Sequence, residues 1–387
     1  MKLKLRSTIQ LIITIIVIIS CTIYGMYINE IIDFRLLSVG DLNPYGGWSA
    51  LKSALTDLSY RWRGFSRGTA LTAGIVLTAL FLGRFLCGYI CPIGAIQDFF
   101  KYLGNKLGLK EINLSPKFEI IKYLVLISVI ALSIMGLGNL VSPYSPWLAY
   151  LNIFIGFNLQ AGTVILILIS LISLVARRVF CRYFCPLGAF QSLLYAIGPF
   201  KIKKSECNCS YCLKTCPVSE ELRVSDKEKH LSPECINCLN CIETCVKGTE
   251  GFQLKIGNKL LKKKTYVTLC ITILLAAYIL LPLTSRNSAV QAISTFEEVI
   301  DGVYTGSGMG FGGIMNVEVT INNQKITSIK VLNHSETSGY YQEVFRSMAY
   351  EIVETQNLSA DAVSGATSTS RGFLNSVRDA VSKSLDN

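Results

Sequence analysis

Eight cysteines fall in one short stretch of the chain, between positions 207 and 245. They form two runs, Cys207-x-Cys209-x2-Cys212-x3-Cys216-Pro217 and Cys235-x2-Cys238-x2-Cys241-x3-Cys245. Two such runs in tandem are typical of a protein that holds two four-iron clusters, in which the fourth cysteine of each run ligates the other run's cluster. The pattern therefore predicts two [4Fe-4S] clusters, one on Cys207, Cys209, Cys212 and Cys245 and the other on Cys235, Cys238, Cys241 and Cys216.

Zinc sites and disulfides are the alternatives for so dense a set of cysteines. Zinc sites use two separated Cys-x2-Cys pairs, whereas here four closely spaced cysteines end on a proline. Disulfides require an oxidising compartment, which the topology predicted below disfavours. The first gap holds only Asn208, where two residues are usual, so the assignment of Cys207 and Cys209 to individual irons stays open.

Four further cysteines belong to a motif that occurs twice, Arg-x2-Cys-x3-Cys-Pro-x-Gly-Ala-x-Gln. The first copy begins at Arg84 and the second at Arg178, and their cysteines are Cys87, Cys91, Cys181 and Cys185. Cysteines four apart share one helix face, and the proline ends or kinks that helix. The two copies therefore predict a further metal or iron–sulfur site, or a thiol pair. The alternative is that cysteine serves here as a small buried apolar residue.

The elements that must position these cysteines are membrane helices. Of the 387 residues, 51% are hydrophobic and 16% charged, and the mean hydropathy is +0.43. That composition is typical of a membrane protein. A bilayer crossing needs about 20 apolar residues, and five stretches are candidates: 9–28, 69–87, 120–140, 163–176 and 265–284.

The net charge of +11 does not indicate a nucleic-acid partner, because the basic residues cluster beside the predicted helix ends. Many of them lie at positions 2–6, 101–117, 177–204 and 259–264, whereas 138–162 carries no charge. The exception is the first outer loop, which carries Arg35, Lys52, Arg61, Arg63 and Arg67. Excess positive charge marks cytoplasmic loops. The predicted topology is a multi-pass protein of a bacterial or archaeal cell membrane. Its amino terminus and cysteine-rich insert are cytoplasmic, and its carboxy-terminal hundred residues are extracytoplasmic.

The segment after the fifth span has the pattern of a small α+β domain. Val317, Val319 and Ile321 alternate with polar residues before an Asn322-Asn323 turn, which predicts a β-hairpin. A glycine-rich run precedes it, and two helices are predicted near 341–356 and 370–384. The loop that enters the last helix is small and polar, so it predicts either an anion site at a helix amino terminus or an ordinary helix cap.

Residues 70 to 250 resemble a known family, the membrane polyferredoxins related to NapH of nitrate respiration and NosR of nitrous oxide respiration. The paired Cys-x3-Cys-Pro motifs followed by the double cysteine run carry this resemblance. It implies electron transfer between quinol or cytoplasmic carriers and extracytoplasmic redox partners.

Residues 294 to 385 resemble the FMN-binding domains of the Rnf and Nqr ion-pumping complexes. Asp361-x2-Ser364-Gly365-Ala366-Thr367 is similar to their flavinylation motif, and Asn333-His334-x-Glu336-Thr337 is similar to a second segment. The resemblance implies FMN joined by a phosphoester to Thr367 and attached by an extracytoplasmic flavin transferase. The site residues that it implies are Asp361, Ser364, Gly365, Ala366, Thr367, His334, Glu336 and Thr337.

The sequence therefore predicts a polytopic α-helical membrane protein with four parts. These are a membrane domain (1–200), a ferredoxin-like insert (201–258), a fifth membrane helix (259–285) and an FMN-binding domain (294–387). The predicted function is electron transfer between cytoplasmic clusters and outer FMN, as a component of an oxidoreductase system. Redox sensing or maturation for a respiratory system is the alternative, and direct reduction of a small substrate by the outer domain is a third.

Overall fold

The structure is a computed structural model. It describes residues 5–29, 31–32, 34, 37, 39–45, 67–112, 115–135, 141–155, 161–204, 216–218, 231–245, 251–257, 259–283, 299–336, 340–358, 363 and 366–384. The chain forms two compact units, the first of residues 1–18, 72–135 and 159–278, the second of residues 19–71, 136–158 and 279–387.

Helices make up most of the described chain before residue 283. They are α1 (Leu5–Ile28), α2 (Val39–Leu42), α3 (Arg67–Leu82), a π-helix (Leu86–Ile90), α4 (Pro92–Lys106), α5 (Ile121–Ile134), α6 (Pro146–Ile153), α7 (Ala161–Ile172), α8 (Val179–Tyr183), α9 (Pro186–Ile197), α10 (Asn240–Thr244) and α11 (Lys263–Leu283). Short 3-10 turns occupy Pro116–Ile120 and Ser142–Tyr144.

Two of these helices, α1 and α11, are long and apolar enough to cross a bilayer, and they match two of the five predicted spans. Most of each faces outward, and α1 exposes Leu11, Ile12 and Ile16. Such apolar surface suits lipid rather than water. The helices at the other three predicted spans, α3, α5 and α7, have 16, 14 and 12 residues. The five-span topology therefore stays a prediction.

The strands of a small antiparallel sheet flank the cysteine-rich insert in the first unit. Its strands are β1 (Phe200–Lys204), β2 (Phe252–Ile256) and β3 (Lys259–Leu261), in that order. Phe200 pairs with Ile256 and Lys204 with Phe252, so the two ends of the insert are held together. Because β3 belongs to this sheet, the sheet extends three residues beyond the boundary predicted at position 258.

The carboxy-terminal domain is a three-stranded antiparallel sheet with two helices. Its elements are β4 (Gly302–Met309), β5 (Ile314–Asn322), β6 (Lys325–Asn333), α12 (Tyr341–Thr355) and α13 (Thr367–Ser382). The predicted hairpin and both predicted helices are present. Alternate residues of β5, from Met315 to Ile321, are buried against the core residues Val344, Phe373 and Val377.

A two-residue turn joins β5 to β6. Asn323 and Gln324 both have positive φ, the arrangement that matches the twist of paired strands. The Asp301 carboxylate accepts both of their backbone N–H groups at 2.9 Å. These hydrogen bonds lower the pKa of Asp301, so the ionised form holds the turn at neutral pH.

β4 packs on α13 through backbone rather than side chains. A Cβ added at Gly306 would lie 2.0 Å from the Ser376 carbonyl oxygen, and one at Gly308 would lie 2.1 Å from that of Gly372. The Ser307 amide also donates to the Asp379 carboxylate at 2.8 Å. Only glycine permits so close an approach of strand and helix, so these glycines set the distance between β4 and α13.

We expect Gly308→Ala to destabilise this domain by about 1–3 kcal/mol, the usual cost of forcing an extra group into a packed interior. The matched control is Gly302→Ala in the same strand, whose added Cβ meets only the movable Tyr304 ring, at 3.1 Å. The difference is measured on the full-length protein, as the temperature at which protease begins to digest the carboxy-terminal domain. Equal melting of the two variants would contradict the backbone-packing explanation.

Candidate functional site

Four cysteines line one cavity of the first unit. They are Cys216, Cys235, Cys238 and Cys241, and the cavity wall also includes Ile202, Val218, Leu231 and Ile236. Cys241 stands on the short helix α10, and the preceding loop turns through Asn237 and Leu239, both in the left-handed conformation. A chain path that curls in this way brings several cysteines to one point from a short segment.

These four cysteines are the set predicted for one of the two clusters. Cys245, predicted for the other, is buried and is absent from the cavity lining. Its predicted partners, Cys207, Cys209 and Cys212, lie outside the described residues. Within the described ranges, no three His, Cys, Asp or Glu side chains converge closely enough to coordinate a single metal ion. A four-iron cluster is a larger body, and its thiolates stand around a cube rather than around one atom.

The chemistry of these thiols suits a cationic cofactor. Burial raises the pKa of Cys235 to about 12, and the neighbouring Cys238 and Cys216 add to the rise. A thiol with so high a pKa is protonated at neutral pH unless a positive centre stabilises its thiolate. None of the cysteines in the described part of the chain forms a disulfide. The residues of the cavity therefore fit an iron–sulfur cluster.

The two copies of the Arg-x2-Cys-x3-Cys-Pro motif lie against each other and exchange contacts. Gln97 of the first copy donates to Cys181 Sγ of the second at 3.1 Å, and Cys87 Sγ donates to Gln191 Oε1 at 3.6 Å. The arginines also cross over. The guanidinium of Arg178 lies 3.1 Å from a Cβ built on Gly94, and the guanidinium of Arg84 lies 3.1 Å from one built on Gly188. The copies thus form one site with approximate two-fold symmetry.

Cys87, Cys91, Cys181 and Cys185 all belong to this two-copy site. Cys87 is buried and the other three are partly buried. Burial raises the pKa of Cys185 to about 12, and the nearby Cys181 and Cys87 raise it further. A metal or iron–sulfur role and a structural role are both compatible with these contacts.

The first copy also contacts the cysteine-lined cavity. Cys87 packs in one apolar cluster with Val218, Ile236 and Cys238, and Cys216 lies against that cluster. The loop residue before Cys235 is Glu234, whose carboxylate has four donors. They are Arg84, Lys122, Tyr123 and Ser192.

In the carboxy-terminal domain, three segments meet beside the start of α13. The Glu336 carboxylate, which is buried, accepts the Gly312 amide at 2.9 Å and the Thr369 hydroxyl. A Cβ built on Gly372 would lie 2.5 Å from Gly310 Cα, so the glycine-rich loop runs directly against α13. Glu336 therefore ties the loop after β4 and the segment after β6 to the first turn of α13.

α13 begins at Thr367, and Ala366 precedes it as a buried residue. The first turn of a helix presents free N–H groups and a favourable dipole to a phosphate. The Val363 amide donates to Ser370 Oγ at 3.0 Å, which folds the approach to this helix back onto its first turn. Thr367 is therefore the first residue of a helix whose preceding segment folds back on its first turn.

His334 forms an aromatic cluster with Tyr341 and Phe345. Its ring lies 4.3 Å from that of Tyr341 and 5.0 Å from that of Phe345, measured between centroids. Its Nδ1 accepts the Glu336 amide at 3.2 Å. Of the other predicted residues, Asp361, Ser364, Gly365, Thr337 and the side chain of Thr367 lie outside the described residues.

Sequence reasoning missed Gly310, Gly312 and Thr369 as parts of this region. The sequence signal for Gly310 and Gly312 is the glycine-rich run before the hairpin, whereas Thr369 stands two residues after the Ser-Gly-Ala-Thr motif. Glu336 itself was predicted, but its bonds to Gly312 and Thr369 join positions 24 and 33 residues apart. Such contacts follow from the fold rather than from spacing.

Comparison with known families agrees with both halves of this description. The family described as "FMN-binding domain" matches residues 310–382. The family described as "4Fe-4S binding domain" matches residues 67–110 and 159–205, which contain both motif copies.

Curated relatives match nearly half of the chain. It is 29% identical over 199 residues to "Putative electron transport protein YccM" of Escherichia coli, 35% over 191 residues to "Uncharacterized protein MJ0750" of Methanocaldococcus jannaschii, and 30% over 198 residues to "Ferredoxin-type protein NapH" of Haemophilus influenzae. These alignments cover 48%, 46% and 48% of this chain, and 55%, 75% and 67% of the three relatives. The chain therefore spans about half the length of YccM.

Proposed function

We propose that this chain conducts electrons across the membrane between cytoplasmic [4Fe-4S] clusters and an outer FMN. The premise is that the chain belongs to the family of ferredoxin-type membrane proteins that includes NapH. The chain is an electron-transport protein with a 4Fe-4S binding domain and an FMN-binding domain. The proposal adds the number of clusters, their ligands, the covalent flavin link and the transfer of electrons across the bilayer.

The observation that carries the proposal is the cavity lined by Cys216, Cys235, Cys238 and Cys241. In this proposal these four thiolates hold one cluster. The second is held by Cys245 with Cys207, Cys209 and Cys212. A bound cluster supplies one-electron chemistry. The protein's part is to bury the ligands and to place them against the membrane repeats.

At the other end, Thr367 carries FMN through a phosphoester in this proposal, with its phosphate at the start of α13. The flavin-binding residues in this proposal also include Asp361, Ser364, Gly365, Ala366 and Thr337, with His334 beside the flavin. Glu336 acts through position, since it holds the glycine-rich loop against the same helix turn. A bound flavin can exchange one electron with a cluster and two with a partner.

A hydrocarbon core of about 30 Å separates the two compartments. The two-copy site of Cys87, Cys91, Cys181 and Cys185 is the part of the chain best suited to bridge part of this distance, as a metal or iron–sulfur site. The proposed partners are a cytoplasmic donor or quinol, an extracytoplasmic redox protein and a flavin transferase that acts during maturation.

Sealed inverted membrane vesicles test this function, because only the cytoplasmic face of the protein then meets the solution. We expect reduced ferredoxin added outside the vesicles to bleach the flavin absorbance of the wild-type protein. In Cys235→Ala the flavin should stay oxidised until detergent opens the vesicles. Flavin reduction at the same rate in both proteins would refute conduction through this cavity, and no reduction in either would favour the sensing role.

A further inference from the structure

The two motif copies differ in polarity at only two positions between Arg84 and Asp98. The other differences exchange one apolar side chain for another. Gly88 of the first copy corresponds to Arg182 of the second, and Asp98 corresponds to Ser192. Both departures from symmetry face the same short segment, Glu234 to Cys238, which we name the docking loop.

Gly88 gives the docking loop its space. A Cβ at this position would lie 2.5 Å from the Ile236 carbonyl oxygen and 3.4 Å from the Cys238 backbone nitrogen. The adjacent Tyr89 hydroxyl donates to the Cys238 carbonyl at 3.1 Å. In the second copy Arg182 instead donates to Glu119 at 2.9 Å. An arginine in place of Gly88 would occupy the volume that the docking loop fills.

Ser192 stands at the position where the Glu234 carboxylate of the docking loop is bound. In the first copy the Asp98 carboxylate accepts two hydrogen bonds from Arg178 of the other copy, at 2.8 and 2.6 Å. The second copy has no acid at the corresponding position, and Glu234 supplies it from the docking loop. Arg84 donates to the Glu234 carboxylate at 3.2 Å and Ser192 donates to it at 3.3 Å. Glu234 therefore completes the symmetric arginine–carboxylate pattern from outside the repeat.

We propose that Gly88, Ser192 and Glu234 are positioning residues that dock the cluster-binding loop on one side of the two-copy site. The inference rests on the proposed function and adds the order in which electrons pass between its sites. The cluster that Cys216, Cys235, Cys238 and Cys241 would hold is the one placed to exchange electrons with a metal or iron–sulfur site at the two-copy cysteines, on the side of Cys87. Cys87 packs against Cys238 within this arrangement.

Ser192→Asp tests the docking directly in the full-length, cluster-loaded protein. The new carboxylate would stand beside that of Glu234, and two like charges at hydrogen-bond distance repel. We expect a shift in the electron paramagnetic resonance spectrum and reduction potential of one cluster, while the other keeps both. The double variant Ser192→Asp/Glu234→Gln should recover the wild-type values, because the new carboxylate can then pair with Arg84 and accept the amide of the introduced glutamine, which keeps the loop docked.

Gly88→Ala provides a second test that adds no charge, and it should shift the same cluster. Its control is Gly108→Ala, which strains a left-handed backbone but adds a Cβ with no atom within 4 Å. A wild-type protein without two clusters would refute the proposed function before any variant is made. Two clusters that keep their spectra and potentials in both Ser192→Asp and Gly88→Ala would overturn the docking inference alone. If Ser192→Asp loses iron, recovery of that iron in Ser192→Asp/Glu234→Gln would support the docking inference.

Discussion

Thr367→Ala is expected to remove all flavin that survives denaturation from this protein. When the wild-type chain is produced together with a flavin transferase, its band should fluoresce after denaturing electrophoresis, and the variant band should be dark. A phosphoester needs the threonine hydroxyl, which alanine lacks. Because α13 begins at Thr367, alanine can take its place without loss of helix propensity. The loss should therefore be complete while the fold persists.

The matched control is Thr355→Ala, at the end of α12 in the same domain, where the hydroxyl bonds only to the preceding turn. Its fluorescence should equal that of the wild type. A fluorescent Thr367→Ala band would place the attachment elsewhere. A dark wild-type band, from a folded protein exposed to the transferase, would remove covalent flavin from the proposal.

Cys238→Ala should lower the iron content by about four atoms per chain, because it removes one ligand of one cluster only. The thiol is buried, lines the cavity with three other cysteines and packs on Cys87. Iron analysis and electron paramagnetic resonance of the reduced, purified protein measure the loss. Cys270→Ala serves as the control, because that cysteine is equally buried but stands within α11. Full iron in Cys238→Ala would show that this cavity holds no cluster.

The carboxy-terminal domain shows what a single sequence can reveal about a fold. Its hairpin and helices follow from alternation and from steps of four, which are local patterns. β4 was not predicted, because a run with glycine at 306, 308 and 310 resembles a loop. Gly306 and Gly308 are required by the backbone of α13, more than 60 residues later, and Gly310 by the side chains of Glu336 and Met315. Only the folded chain reveals those partners.

For the cluster cavity, too, one part was predictable from the sequence and another part was not. Cysteine spacing alone predicted the set that lines it, because its ligand pattern is set by the reach of a short loop. The docking of that loop was not predictable, since Arg84 and Glu234 are 150 residues apart. The change from Gly88 to Arg182 between the copies was likewise visible in the sequence, but its meaning depends on what lies opposite.

The reciprocal contacts between the motif copies have a consequence for biosynthesis. Cys87 meets Gln191 across 104 residues, and Gln97 meets Cys181 across 84. At a synthesis rate of about 5–20 residues per second, the first copy waits roughly 5 to 20 seconds for its counterpart. During that interval its two thiols lack their final enclosure. Nascent chains therefore expose the thiols of the first copy to oxidation and to wrong metals until the second copy emerges.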